Sequence, residues 1–135
     1  MADSLLVEIV SPDRAAFRGE AVRFRAPGVE GAFEVLRGHA PMVAALGVGT
    51  LVVTTTDGAR LPFAVSGGFA EVLDNHVIVL AETVEPASEI DADRARAAEE
   101  RARERLAEAK GDEREALQAE LDRARNRLRT TMGQV

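Results

Sequence analysis

The chain has 135 residues, 46% of them hydrophobic and 30% charged, enough for one modest domain and an appendage. With no cysteine it can build neither a disulfide framework nor a thiolate metal site. The formal net charge is −6 and is unevenly placed: residues 1–90 hold 12 acids and six arginines, residues 91–135 hold 11 acids and 11 bases. The first part therefore lacks the basic footprint that nucleic-acid binding needs.

The opening residues, Met1-Ala2-Asp3-Ser4-Leu5-Leu6, lack the basic start and apolar run of a secretory leader, so none is expected. No apolar run approaches the roughly 20 residues that span a bilayer, so no direct membrane insertion is expected.

From Leu5 to about Glu82 short runs of Val, Ile, Leu and Phe alternate with Gly, Pro, Asp and Asn, a β pattern. Strands are predicted over Leu5–Val10, Ala21–Ala26, Leu51–Thr55, Leu61–Val65, Phe69–Leu73 and His76–Ala81. In the second of these Val22, Phe24 and Ala26 alternate with Arg23 and Arg25, which predicts one apolar face. Thr56-Asp57-Gly58 and Asp74-Asn75 have hairpin-turn chemistry. Many short strands at close spacing imply a small β-sandwich or flattened barrel.

The character changes near Pro86. Between Asp91 and Arg129 there is no proline and one glycine, and Ala, Glu, Arg and Leu dominate. Ser88, with Asp91 three residues on, predicts a helix start. Gly111-Asp112 divides the segment into two helices. Ala95, Ala98, Ala102, Leu106 and Ala109 form one apolar stripe, and Leu117, Leu121, Ala124 and Leu128 a second. The fold expected is thus α+β: a β-sandwich over residues 1–86 and an antiparallel two-helix hairpin over 87–135. The stripes are thin, so the hairpin is held modestly and is expected to detach.

Three segments carry a family resemblance: Val10-Ser11-Pro12 with Phe17; Gly31-Ala32-Phe33-Glu34-Val35-Leu36-Arg37-Gly38-His39-Ala40-Pro41; and Ser66-Gly67-Gly68-Phe69-Ala70-Glu71-Val72. With the order of sandwich then hairpin, the chain resembles the epsilon subunits of bacterial F-type ATP synthases. The resemblance implies a non-catalytic rotor and regulatory subunit. The sandwich would bind the gamma subunit and the ring of c subunits, the latter through the loop bearing Gly31, Ala32, Phe33 and His39. Ala32 and Glu34 depart from the family pattern, which commonly has an acid after Gly31 and a glycine at position 34.

The hairpin would pack on the sandwich or extend to the alpha and beta subunits and block hydrolysis, with Arg123, Arg125, Arg127 and Arg129 facing the catalytic head. The implied location is peripheral, on the cytoplasmic face of the bacterial plasma membrane.

No Gly-x-x-x-x-Gly-Lys-Ser/Thr motif is present and the only lysine is Lys110, which excludes hydrolysis by a phosphate-loop mechanism. No cluster at metal-ligand spacing accompanies His39, and no partner is placed to make it a base. Ile90-Asp91-Ala92-Asp93-Arg94-Ala95 resembles the Ile/Leu-Asp-x-x-Arg-Ala motif of epsilon subunits that bind ATP as a regulatory ligand. The family's site would fall on Glu85, Ile90, Asp91, Arg94, Ala95, Arg101, Arg123 and Arg127. The acid and nearby backbone would take adenine, and the arginines the phosphates. Arg94 and Arg101, and Arg123 and Arg127, each share a helix face, so an antiparallel hairpin can bring the pairs together. The alternative for these arginines is pairing with neighbouring acids: Glu99 with Arg103, and Glu120 or Asp122 with arginines nearby. The alternative for the whole protein is a free-standing nucleotide sensor without a larger assembly.

Overall fold

The computed structural model describes residues 4–133; residues 1–3, where the leader reading begins, and 134–135, where the predicted helical unit ends, lie outside the described residues. The strands are β1 (Leu5–Val10), β2 (Ala15–Gly28), β3 (Gly31–Val35), β4 (Met42–Ala45), β5 (Val48–Thr55), β6 (Arg60–Leu73) and β7 (His76–Pro86). A 3₁₀ turn, Ala87–Glu89, leads to α1 (Ala92–Leu106) and α2 (Asp112–Thr131). The β-sandwich followed by a two-helix hairpin is the architecture expected from the sequence.

The sandwich is a closed ring. β1 pairs in parallel with β7 and antiparallel with β2, and the circuit is completed through β6 and β5. Closure leaves these five strands no open edge. β3 lies beside β2, and β4 beside β6. Alternation along β1 sends Leu5, Val7 and Ile9 inward, each fully buried. They meet Phe24, Leu51, Val53, Val77 and Val79 from the surrounding strands. The rings of Phe17 and Phe63 pack edge to face, 5.9 Å between centroids.

Several sequence expectations change. Val22 does not face the core but is 41% exposed, because β2 carries a bulge between Ala21 and Arg23 that shifts its register against β5. Gly31, Ala32 and Phe33 lie in strand β3 rather than a loop, since Gly28 and Gly31 pair across a tight turn and return the chain alongside β2. Met42–Ala45 is a further unpredicted strand, four residues long. Asp91, not Ser88, caps α1: its side chain accepts the Arg94 amide at 3.1 Å, while Ser88 lies in the 3₁₀ turn. Asp74 and Asn75 both adopt positive φ, 49° and 62°, the conformation of the tight hairpin turn read from their sequence.

The two strands predicted at Leu61–Val65 and Phe69–Leu73 are one strand, β6, bent at Gly67-Gly68. Both glycines have positive φ, +70° and +113°. A side chain at Gly68 would place its Cβ 2.1 Å from the Leu80 carbonyl oxygen. Opposite this corner Glu82 and Thr83 are consecutive and both exposed, so the inside-outside alternation of β7 resets there. Before the corner Ser66 and Thr83 face the hairpin; beyond it Phe69 and Leu80 face solvent, each 57% exposed.

The helices join through a small apolar seam, Ala102 and Leu106 of α1 against Leu117 and Leu121 of α2. It is α2 that docks on the sandwich, over β5 and β6. Buried polar bonds fix its position. Asn126 donates its side-chain amide to the Gly49 carbonyl at 2.8 Å, and the hydroxyls of Thr130 and Thr50 lie 2.7 Å apart. The three side-chain-bearing residues, Asn126, Thr130 and Thr50, are 3%, 1% and 7% exposed, so these bonds are shielded from water. A buried polar group left unpaired costs about 1–3 kcal/mol, which makes this contact a register lock for α2.

Gly68→Ala is expected to cost at least about 2 kcal/mol, from the left-handed φ and the backbone clash together; denaturant unfolding of the variant measures it. Asn126→Ala is expected to weaken docking of α2 by about 1–3 kcal/mol. In hydrogen exchange, the α2 amides of that variant would exchange faster while the β1 and β7 amides keep their protection.

Candidate functional site

The chain leaves the sandwich along β7, passes Glu85, makes the 3₁₀ turn and enters α1 through the extended residues Ile90 and Asp91. α2 returns antiparallel over β5 and β6. The cleft between helices and sandwich holds two cavities. One, of about 330 Å3, is lined by Glu85, Glu89, Ile90, Asp91, Arg94, Ala95, Ala98, Arg101 and Arg127. The other, of about 260 Å3, is bordered by Arg14, Ser66, Thr83, Val84, Arg123 and Asn126, among others, and shares Glu85, Glu89 and Arg127 with the first. The structure thus brings together all eight residues named from the sequence motif: seven line the first cavity and Arg123 the second. Together the cavities fall in the size range of small-molecule sites, roughly 300–1,000 Å3.

Charge in the cleft is one-sided. Five guanidiniums (Arg14, Arg94, Arg101, Arg123, Arg127) face three carboxylates (Glu85, Glu89, Asp91), an excess of two positive charges in a chain of net charge −6. Arg127 Nε bonds Glu85 Oε1 at 3.1 Å. Arg14 grips Glu89 with both terminal nitrogens, at 2.7 and 3.2 Å. Among the described residues, the side chains of Arg94, Arg101 and Arg123 make no ion pair. The hydrogen bond from Arg14 holds the Glu89 carboxyl below the usual carboxylate range. The same pair, with Glu85 nearby, raises Arg14 above the ordinary arginine value.

The acids that could have neutralised the cleft are mostly spent elsewhere. Glu99 pairs with Arg103 at 3.4 Å and with Arg125 of the other helix at 3.2 Å, neither of them in the cleft. Asp122 accepts from Gln118 at 3.0 Å. Fork-shaped donors left unpaired around a cavity are suited to a multiply charged oxyanion.

Of the four arginines expected to face a catalytic head, Arg123 and Arg127 line this cleft, Arg125 pairs with α1, and Arg129 borders a separate hollow beside Pro27 and Ala32. Residues two apart on a helix point to different sides, so with the hairpin docked the four form no single row. Of the rotor-contact set, Gly31 and Ala32 are exposed, while Phe33 is half-buried against Phe24, ring centroids 6.4 Å apart. His39 Nδ1 lies 2.7 Å from the Ala40 carbonyl oxygen.

Sequence reasoning missed the docking roles of Asn126 and Thr130 described above, and two features besides. Arg14 and Glu89 meet from 75 residues apart, and no spacing rule along one helix reaches across that separation. The other is an apolar patch on the outer face beyond the Gly67-Gly68 corner. There Phe69 is paired with Ala45 and Leu80, Leu80 with Val10, and Val43 is 67% exposed.

Residues 4–87 match the family model described as ATP synthase, Delta/Epsilon chain, beta-sandwich domain. Residues 88–132 match the ATP synthase, Delta/Epsilon chain, long alpha-helix domain. The chain is 58% identical over 116 residues to an ATP synthase epsilon chain of Salinibacter ruber, covering 80% of this chain and 78% of that one. It is 47% identical over 130 residues to the epsilon chain of Nitratidesulfovibrio vulgaris, covering 96% of each. Among solved structures, a chain of the Euglena gracilis mitochondrial ATP synthase (OSCP/F1/c-ring in rotational state 1) superposes with a TM-score of 0.83 at 25% identity, over 92% of this chain and 79% of that one.

Proposed function

The chain belongs to the epsilon-subunit family of F-type ATP synthases, a component of the central stalk, and on that premise we propose that its hairpin is an ATP-gated brake on hydrolysis. The observation that carries this reading is the cleft: eight motif positions surround it, and three of its guanidiniums are unpaired. Mutual repulsion of those arginines disfavours the docked hairpin until an anion lies between them.

ATP supplies that anion. Its phosphates bind Arg94 and Arg101 of α1 and Arg123 and Arg127 of α2, while Glu85 of the sandwich accepts from the exocyclic amine of adenine. Guanine carries a carbonyl at that position and meets a carboxylate instead of a partner. Only the docked arrangement assembles these groups, so ATP stabilises it, by about 2.7 kcal/mol at a hundred times the dissociation constant. When ATP falls, the hairpin leaves the sandwich, extends toward the alpha and beta subunits and blocks hydrolysis through arginines that docking had kept in the cleft or paired within the hairpin.

The sandwich keeps the subunit on the rotor in either state. Its exposed Val43, Phe69 and Leu80 are the face offered to gamma, since a contiguous apolar patch of this kind marks a protein contact. The β2–β3 turn with Gly31 and Ala32, and the following segment with His39, are the end offered to the c-ring. In this reading the protein is peripheral, held by its partners at the cytoplasmic face of the membrane. Among the described residues no helix is long and apolar enough to cross a bilayer.

Calorimetric titration of the full chain tests the gate. One-to-one binding that prefers ATP over ADP and GTP is expected, and Arg127→Ala is expected to weaken it roughly ten- to a hundredfold with the sandwich still folded. Absence of binding at millimolar ATP would return these arginines to ion pairing or head contacts. Deleting residues 91–135 is expected to leave gamma binding intact, as read by co-purification. Loss of gamma from that truncation would move the partner surface onto the hairpin.

A further inference from the structure

Arg14 belongs to no nucleotide motif, yet it lines the same cleft as Arg123 and Arg127. It closes the turn between β1 and β2, where the backbones of Ser11 and Arg14 bond reciprocally, at 2.8 and 3.3 Å. Its guanidinium is therefore presented from a fixed point on the sandwich, the wall facing the helical arginines. There Glu89 occupies it in the two-pronged geometry that a phosphate would adopt. Glu89 itself lines both cavities, and Glu85 adds negative charge beside Arg14.

We propose that Arg14 is a further phosphate-binding residue of the cleft, and that Glu89 is a tethered counter-anion which an entering polyphosphate displaces from it. The inference rests on reading the cleft as a nucleotide site and extends that site onto the sandwich wall. The Arg14 and Glu89 side chains are 41% and 51% exposed, and ion pairs so open to water are held weakly. A phosphate group offers Arg14 more acceptor oxygens and more charge than one carboxylate does. Glu89 also repels any anion in either cavity, and this penalty grows with ligand charge. The pair then acts as a threshold: it keeps the unliganded cleft partly neutralised and sets how much negative charge a ligand must bring.

A purely structural role for the pair makes a different prediction. If Glu89 only braces the 3₁₀ turn against the sandwich, removing either partner loosens the docked hairpin and weakens binding. Under the present proposal the two substitutions act in opposite directions. The full-length protein and its Arg14→Gln and Glu89→Gln variants are titrated calorimetrically with ATP, inorganic triphosphate, ADP and adenosine.

Glu89→Gln is expected to tighten ATP and triphosphate about two- to fivefold, ADP less, and adenosine not at all. Arg14→Gln is expected to weaken the same ligands in the same order, by about two- to tenfold. Weaker or unchanged ATP binding in Glu89→Gln, or unchanged binding in Arg14→Gln, overturns the proposal. If triphosphate binds as tightly as ATP and the opposite signs hold, the adenine reading fails while this one stands. If ATP binds the wild type but the variants do not shift it, only this one fails. If no ligand binds the wild type, both fall.

Discussion

The corner at Gly67-Gly68 is the constraint on which the other features depend. A strand turns one face inward and one outward along its length, and β6 and β7, of 14 and 11 residues, are long enough to run past the corner and serve both sides of it. To do so they must turn without losing their register, and the register is the same on both sides of the corner, Ser66–Thr83 before it and Gly68–Ala81 and Phe69–Leu80 after it, with Gly67 and Glu82 themselves left out of the pairing. Only a backbone free to adopt positive φ, with no side chain to strike Leu80, permits that bend. Its result is a division of labour within single strands. One end of β6 and β7 supplies the floor of the arginine cleft, and the other end supplies the exposed apolar face.

Above that floor, two unlike forces hold the hairpin. The seam between the helices is apolar and small, with only alanines and leucines in it. The contact of α2 with the sandwich includes shielded hydrogen bonds through Asn126, Thr130 and Thr50. Arg123 and Arg127 lie on the same side of α2 as Asn126 and Thr130, one turn apart in each pair, so the bonds that fix the register of α2 also fix where its guanidiniums point. Docking and cleft assembly are one event for this reason. The cationic excess in the cleft works against that event, which leaves the docked state sensitive to any anion that enters.

Much of this was legible in the residues. β1 was readable to its ends because its alternation is regular, and Asp74-Asn75 because its turn demands positive φ. The helical hairpin was plain from composition and from Gly111. The strands of the Gly31–Val35 and Met42–Ala45 segments were not, since they are short, flank the ring and carry little periodic signal. Val22 misled because a bulge leaves no mark in a single sequence. In the cleft, the positions on one helix face followed from helical spacing and from the motif. Asn126 and Thr130 did not, because polar residues on an exposed-looking helix declare a buried role only when a sheet carbonyl and hydroxyl lie above them. Arg14 and Glu89 were hidden by chain distance alone.

The polar character of the α2 contact has a thermal consequence. Heat capacity rises when apolar surface meets water and falls when polar surface does. Lifting α2 from Gly49, Thr50 and its neighbours exposes amide and hydroxyl groups as well as aliphatic ones such as Ala64, so the two contributions oppose each other. The docking enthalpy then changes less with temperature than that of a purely apolar contact would. A hairpin seated on a greasy surface would grip hardest at one temperature and loosen on cooling. One fixed by hydrogen bonds as well depends less on warmth or cold and more on the chemistry of the solution around it.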